Sequence, residues 1–89
     1  MSSPMKVMKF SASWCQPCKT LSKTLDSIKE DLKLPLEEID IEEDSDVAVE
    51  FGIRSVPTLV KVDENMQPID TVIGAGTMKP EELKAFFSA

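Results

Sequence analysis

Cys15 and Cys18 are the only cysteines in the chain, and they frame the segment Trp14-Cys15-Gln16-Pro17-Cys18-Lys19. Two thiols at this spacing at the start of a helix interconvert between dithiol and disulfide with little backbone movement. That suits reversible redox chemistry, and it leaves no cysteine for a structural disulfide framework. Zinc knuckles use the same spacing, but the chain has no His and no third Cys, so a tetrahedral site would need carboxylates or a second chain. A third reading, two inert buried thiols, sits poorly with a flanking Trp and with a Pro between the cysteines. Trp14, the only Trp, is read as a flat apolar wall beside Cys15, with plain core packing as the alternative.

These thiols need a frame to hold them. The spacing of Cys18, Leu21, Leu25, Ile28 and Leu32 puts them on one face of a helix that runs from the cysteine motif to about Lys33, before Leu34-Pro35. Cys18 is then expected to point inward and Cys15 to be exposed in the first turn. Residues 6–11 precede the motif as a strand, and residues 36–41 follow the helix as a second. Asp44-Ser45-Asp46 introduces a short helix over residues 47–51 that Gly52 ends. Strands at 58–62 and 69–73, joined by a polar turn at 63–68, form an antiparallel hairpin, and Pro80 opens a last helix to residue 88 with Leu83, Phe86 and Phe87 facing inward.

The expected fold class is α/β, in the order βαβαββα, with a four-stranded mixed sheet and helices on both faces. The 89 residues fit a single domain, with residues 1–4 frayed. A formal charge of −6 and the lack of a basic stripe argue against nucleic acid or an anionic membrane as partner. Seven of the ten residues from 37 to 46 are acidic, which reads as a solvated strand end and loop. Residues 1–10 lack the apolar core of a signal peptide, and no long apolar run follows, so the cytosol is the expected compartment. There a lone C-x-x-C is more readily catalytic than structural.

The segment Phe10-x-Ala12-x-Trp14-Cys15-x-Pro17-Cys18-Lys19 resembles the active-site segment of the thioredoxin family. Phe51-Gly52-Ile53-Arg54-Ser55-Val56-Pro57-Thr58-Leu59 resembles that family's cis-proline loop, and Gly74-Ala75 its glycine loop. The resemblance covers about residues 7–87 and implies a thioredoxin-like fold without the N-terminal strand and helix of full-length members, close to a glutaredoxin in size. An exposed sheet edge is then expected beside the first strand, blunted by Lys6 and the N-terminal tail.

The resemblance further implies that Cys15 is the nucleophile and Cys18 the resolving thiol of a protein-disulfide reductase. The redox-active disulfide Cys15–Cys18 would serve in place of any bound cofactor, with electrons from a thioredoxin reductase or similar donor. Trp14, Gln16, Pro17, Val56, Pro57 and Gly74 would bind substrate, with Pro57 cis and the Val56 backbone free to pair with an extended peptide. Gly74 would allow close approach of the substrate, whereas Gly76 reads as punctuation. Gln16 departs from the Gly usual in the family, which bears on redox potential and partner choice. Lys9 stands where the family carries a buried Asp and Glu38 where it carries a Lys, so a charge pair with exchanged signs is expected to assist proton transfer at Cys18, against the reading of two solvated charges. Lys19, Lys23 and Arg54 could form a small positive rim. The implied partners are disulfide-containing proteins and the reductase, acting on a monomer. Two other classes stay open, a glutaredoxin-like glutathione-dependent enzyme and an interaction subunit of a larger assembly.

Overall fold

The computed structural model describes residues 3–88. Four strands and three helices follow one another as β1 (Pro4–Ser11), α1 (Gln16–Ser27), β2 (Leu36–Asp40), α2 (Ser45–Glu50), β3 (Thr58–Asp63), β4 (Pro68–Ile73) and α3 (Pro80–Phe86), with single 3-10 turns at Lys29–Asp31 and Ala75–Thr77. The strands form one mixed sheet in the order β2-β1-β3-β4. β1 pairs parallel with β2, antiparallel with β3, and β3 pairs antiparallel with β4. This is the expected architecture and element order.

Period-two alternation in the central strands sorts the core onto two faces. Val7 and Leu59 point to the face that α1 and α3 cover, where Leu21, Leu25, Leu83, Phe86 and Phe87 bury them. Met8, Phe10, Val60 and Val62 point the other way, toward Ala48 of α2. Phe51 at the end of α2 places its ring 5.6 Å from that of Phe10. Helices thus lie on both faces, as the sequence predicts.

Most element ends shift by one or two residues from expectation, and three boundaries bear on the frame of the site. Pro4 already pairs with Asp63, so the strand begins inside the stretch expected to fray; Met1 and Ser2 lie outside the described residues. α1 ends at Ser27 rather than near Lys33. The hydroxyls of Thr20, Thr24 and Ser27 all donate to carbonyls of the preceding turn, which weakens helix propagation. Ile28 then leaves helical geometry, and the chain tightens into the 3-10 turn. α2 begins at Ser45 with Asp44 at its N-cap, although the Asp44 side chain makes no capping bond.

The exposed edge also falls elsewhere. β1 lies in the middle of the sheet, and Lys6 reaches across it to pair with Glu37 at 2.5 Å. The edges are β2 and β4, because the crossover through α1 carries β2 to one side of β1 while β3 takes the other. The β3–β4 turn is held by Asp63, whose carboxylate accepts from the N–H groups of Asn65 and Gln67 at 2.8 and 2.9 Å.

Candidate active site

β1 delivers the chain to a short turn, and the cysteines follow where α1 begins. Cys15 is the N-cap, in extended geometry, and its Sγ accepts from the Cys18 backbone N–H at 3.2 Å. Gln16 and Pro17 are the first two helical residues, where a missing N–H costs nothing because those donors have no partner in the helix. Cys15 and Cys18 are joined by a disulfide with a Cα–Cα distance of 5.3 Å, inside the usual range. One turn of helix therefore supplies both sulfurs and an N–H aimed at one of them.

The same arrangement prepares the reduced state. α1 is long enough to set the positive end of its dipole at Cys15, its Cys18 N–H already points at the sulfur, and its first turn carries no acidic residue. All of this favours thiolate over thiol at Cys15. Cys15 is nevertheless buried, with 4% of its surface exposed, and not open in the first turn as expected. Cys15, Cys18 and Ala12 pack together, and Ile41 and Val56 lean on them. Sequence periodicity gives the inward face of a helix but says nothing of loops that close over its end.

The resemblance places six residues around this pair. Trp14 is 65% exposed, which rules out core packing and leaves a large apolar ring in solvent next to Cys15. Gln16 and Pro17 are exposed. The Val56–Pro57 peptide is cis, as expected, and Pro57 is fully buried. Val56 touches the cysteine cluster, and among the described residues its backbone N–H and C=O make no hydrogen bond. An extended peptide can therefore pair with it.

The two glycines exchange their expected roles. Gly74 adopts φ +72° with nothing within 4 Å of a notional Cβ, so it is a turn residue. Its N–H and that of Ala75 both donate to the Pro57 carbonyl at 3.1 Å, which ties the loop to the cis-proline. Gly76 is the site of close approach: a Cβ there would lie 2.8 Å from Pro17 Cβ. The loop after β4 thus sits directly against the residue between the cysteines.

Lys9 is 1% exposed. Its Nζ donates to Glu38 Oε1, its neighbour across the β1–β2 ladder, and to Ser22 Oγ on α1. The pair with exchanged signs is present, and the reading of two solvated charges fails for Lys9. Glu38 keeps 59% of its side chain exposed. The ammonium binds α1 one turn beyond Cys18, and among the described residues neither Lys9 nor Glu38 hydrogen-bonds Cys18 itself. Ser22 escaped the sequence reading, although a polar residue four after Cys18 on an apolar helix face was the available signal. Lys19, Lys23 and Arg54 are exposed. Among the described residues there is no group of three or more potential metal-ligating side chains and no helix long and apolar enough to cross a membrane.

Comparison with known proteins agrees with this geometry. The family model described as thioredoxin matches residues 1–89. A thioredoxin of Malassezia sympodialis is 40% identical over 82 residues, covering 89% of this chain and 74% of that protein. One from Griffithsia pacifica is 39% identical over 71 residues, covering 78% of this chain, which spans only 64% of that relative's length. Among solved structures, a mutant thioredoxin from Halobacterium salinarum NRC-1 superposes with a TM-score of 0.78 at 28% identity, over 91% of this chain and 69% of that one.

Proposed function

Because the chain belongs to the thioredoxin family, we propose that it reduces protein disulfides by dithiol exchange through Cys15 and Cys18. The observation that carries this reading is the disulfide across the first turn of α1, with the Cys18 N–H on Cys15 Sγ. In the reduced protein the Cys15 thiolate attacks one sulfur of a substrate disulfide. A Cys15–substrate bond forms, the substrate S–S bond breaks, and the departing sulfur takes a proton. Cys18, deprotonated in turn, attacks Cys15 Sγ, closes the intramolecular disulfide and releases the second substrate thiol. Two electrons have passed to the substrate, and a donor dithiol must return them.

The surroundings support named roles. Trp14, Gln16 and Pro17 form the rim over which substrate arrives, and the free Val56 backbone pairs with an extended segment beside the disulfide. Pro57 and Gly74 hold that segment's platform in shape through the bonds to the Pro57 carbonyl. Lys9 and Glu38 act on Cys18 through α1, the ammonium favouring negative charge along that face and Glu38 accepting a proton through water. The electron donor we assign is a thioredoxin reductase, the working form a monomer and the compartment the cytosol.

The test is insulin reduction followed by NADPH oxidation, run once with a thioredoxin reductase and once with glutathione and its reductase. Turnover through the first alone is the expected result. Turnover through the second alone would make the protein a glutathione-dependent enzyme, and turnover through neither, with a stable complex to a cellular protein, would make it an interaction subunit.

A further inference from the structure

The disulfide that the chemistry uses is almost hidden. Cys15 keeps 4% of its surface exposed and Cys18 3%, although Trp14, Gln16 and Pro17 beside them stand in solvent. A thiol that reduces the pair must bring its own sulfur against one of theirs, so the side chains that cover them govern the rate. Two half-buried apolar residues pack against the cluster of Ala12, Cys15 and Cys18: Ile41 and Val56.

These two are held differently. Val56 precedes the fully buried Pro57, whose carbonyl takes the Gly74 and Ala75 N–H groups at 3.1 Å, so its place is set by the platform on which substrate lies. Ile41 is the first residue after β2. Its N–H donates to the Ser11 carbonyl at 2.9 Å, which pins its backbone to the end of β1. Its side chain packs on the cysteines on one side and on the cluster of Phe10, Ile39 and Ala48 on the other, and is buried in neither. Residues 42–46, which follow, are exposed. A β-branched side chain in such a place moves between a few staggered wells while the backbone bond to Ser11 stays made.

We propose that Ile41 gates the redox pair and sets its selectivity among thiols, holding small thiols off the disulfide and yielding to a protein that docks on the rim. The inference rests on the dithiol-exchange reading. A small thiol touches few groups and brings little binding energy with which to displace a packed isoleucine. A protein lying across Trp14, Pro17 and Val56 gains that energy from contacts remote from the sulfurs. The exchange itself is the same for both donors. The incoming thiolate bonds to Cys15 Sγ, the Cys15–Cys18 bond breaks, and Cys18 leaves as a thiolate that takes a proton. A second donor thiolate then attacks the donor sulfur, which forms the donor disulfide and releases Cys15.

The experiment reduces the oxidised full chain with dithiothreitol, and separately with a thioredoxin reductase and NADPH, and follows loss of the disulfide by timed alkylation and mass spectrometry. In Ile41→Ala the dithiothreitol rate should rise about tenfold relative to the reductase rate, the equivalent of roughly half the burial of one isoleucine. Ile41→Val, one methylene smaller, should raise the ratio about twofold, and serves if the alanine variant does not fold. The Cys15–Cys18 potential, measured against a glutathione buffer, should not move, because a gate speeds exchange equally in both directions whereas altered thiol or disulfide stability shifts the equilibrium. An unchanged ratio, equal acceleration with both donors, or a potential shift large enough to account for the gain would each overturn the proposal. If the reductase does not reduce the parent protein, the proposed function fails by itself, and the dithiothreitol rates alone decide the gate: a tenfold rise in Ile41→Ala upholds it and an unchanged rate overturns it.

Discussion

Gly76→Ala tests how tightly the loop after β4 grips the redox helix. The added Cβ would lie 2.8 Å from Pro17 Cβ and 3.2 Å from the Pro17 carbonyl oxygen. Carbon atoms meet comfortably at about 3.5–4.0 Å, so the new atom is too close by about 0.7 Å. Neither neighbour belongs to a flexible side chain: one sits on a proline ring, the other on the backbone of the first turn of α1. The loop or the helix start must therefore shift, at an overpacking cost of about 1–3 kcal/mol. For a domain of this size each kcal/mol lowers Tm by roughly 4–8 °C. Thermal and urea unfolding of the oxidised variant measure that loss, and equilibration against a glutathione buffer measures the Cys15–Cys18 potential, which should move because Pro17 stands between the sulfurs. Gly74→Ala is the contrast, since it meets no atom but must hold φ +72°; it should cost about 1–2 kcal/mol, be eased by Gly74→Asn, and leave the potential alone. A Gly76→Ala protein as stable as the parent, with the parent's potential, would refute the close contact.

Glu38→Gln should destabilise the protein by about 1–3 kcal/mol, less than a fully buried pair would lose, because it leaves the buried Lys9 ammonium with Ser22 while the half-exposed carboxylate site admits water. Stopped-flow kinetics should show it slowing resolution of the mixed disulfide more than initial attack. Lys9→Met replaces the buried cation with a similar apolar shape and should be near neutral or stabilising in denaturant. A large loss there would mean the pair is needed for folding. Trp14→Ala, at a position 65% exposed, should change stability by less than about 0.5 kcal/mol, yet slow insulin reduction several-fold through loss of the apolar wall. Phe87→Ala empties a fully buried site under α1 and α3 and should cost about 3–5 kcal/mol, a large part of a small domain's stability, in urea unfolding.

Much of the positioning frame was legible in the residues. The three- and four-residue spacing of Cys18, Leu21 and Leu25 fixed the inward face of α1, and all three are buried. The hairpin from Thr58 to Ile73 and the Pro80 helix start followed from turn and cap chemistry. What sequence did not show depended on how elements meet. The early end of α1 comes from hydroxyls bonding back along the helix, a competition that apolar spacing does not register. Gly74 and Gly76 look alike in a string of letters, and only the approach of Pro17 separates a positive-φ turn from a steric contact. Lys9 was ambiguous because a long stem allows either burial or escape to solvent; Ser22 and Glu38, from two other elements, decide it. The open edge at β2 is a property of strand order, which no local pattern encodes.

The central claim is that Cys15 attacks and Cys18 resolves. It is tested most directly by incubating the reduced Cys18→Ser and Cys15→Ser variants with a disulfide substrate such as insulin and resolving the products by mass spectrometry without reductant. The account predicts a stable mixed disulfide at Cys15 in the Cys18→Ser protein, because nothing remains to displace the substrate, and little or none in Cys15→Ser. Trapping at Cys18 in the Cys15→Ser protein, with none in Cys18→Ser, would contradict it.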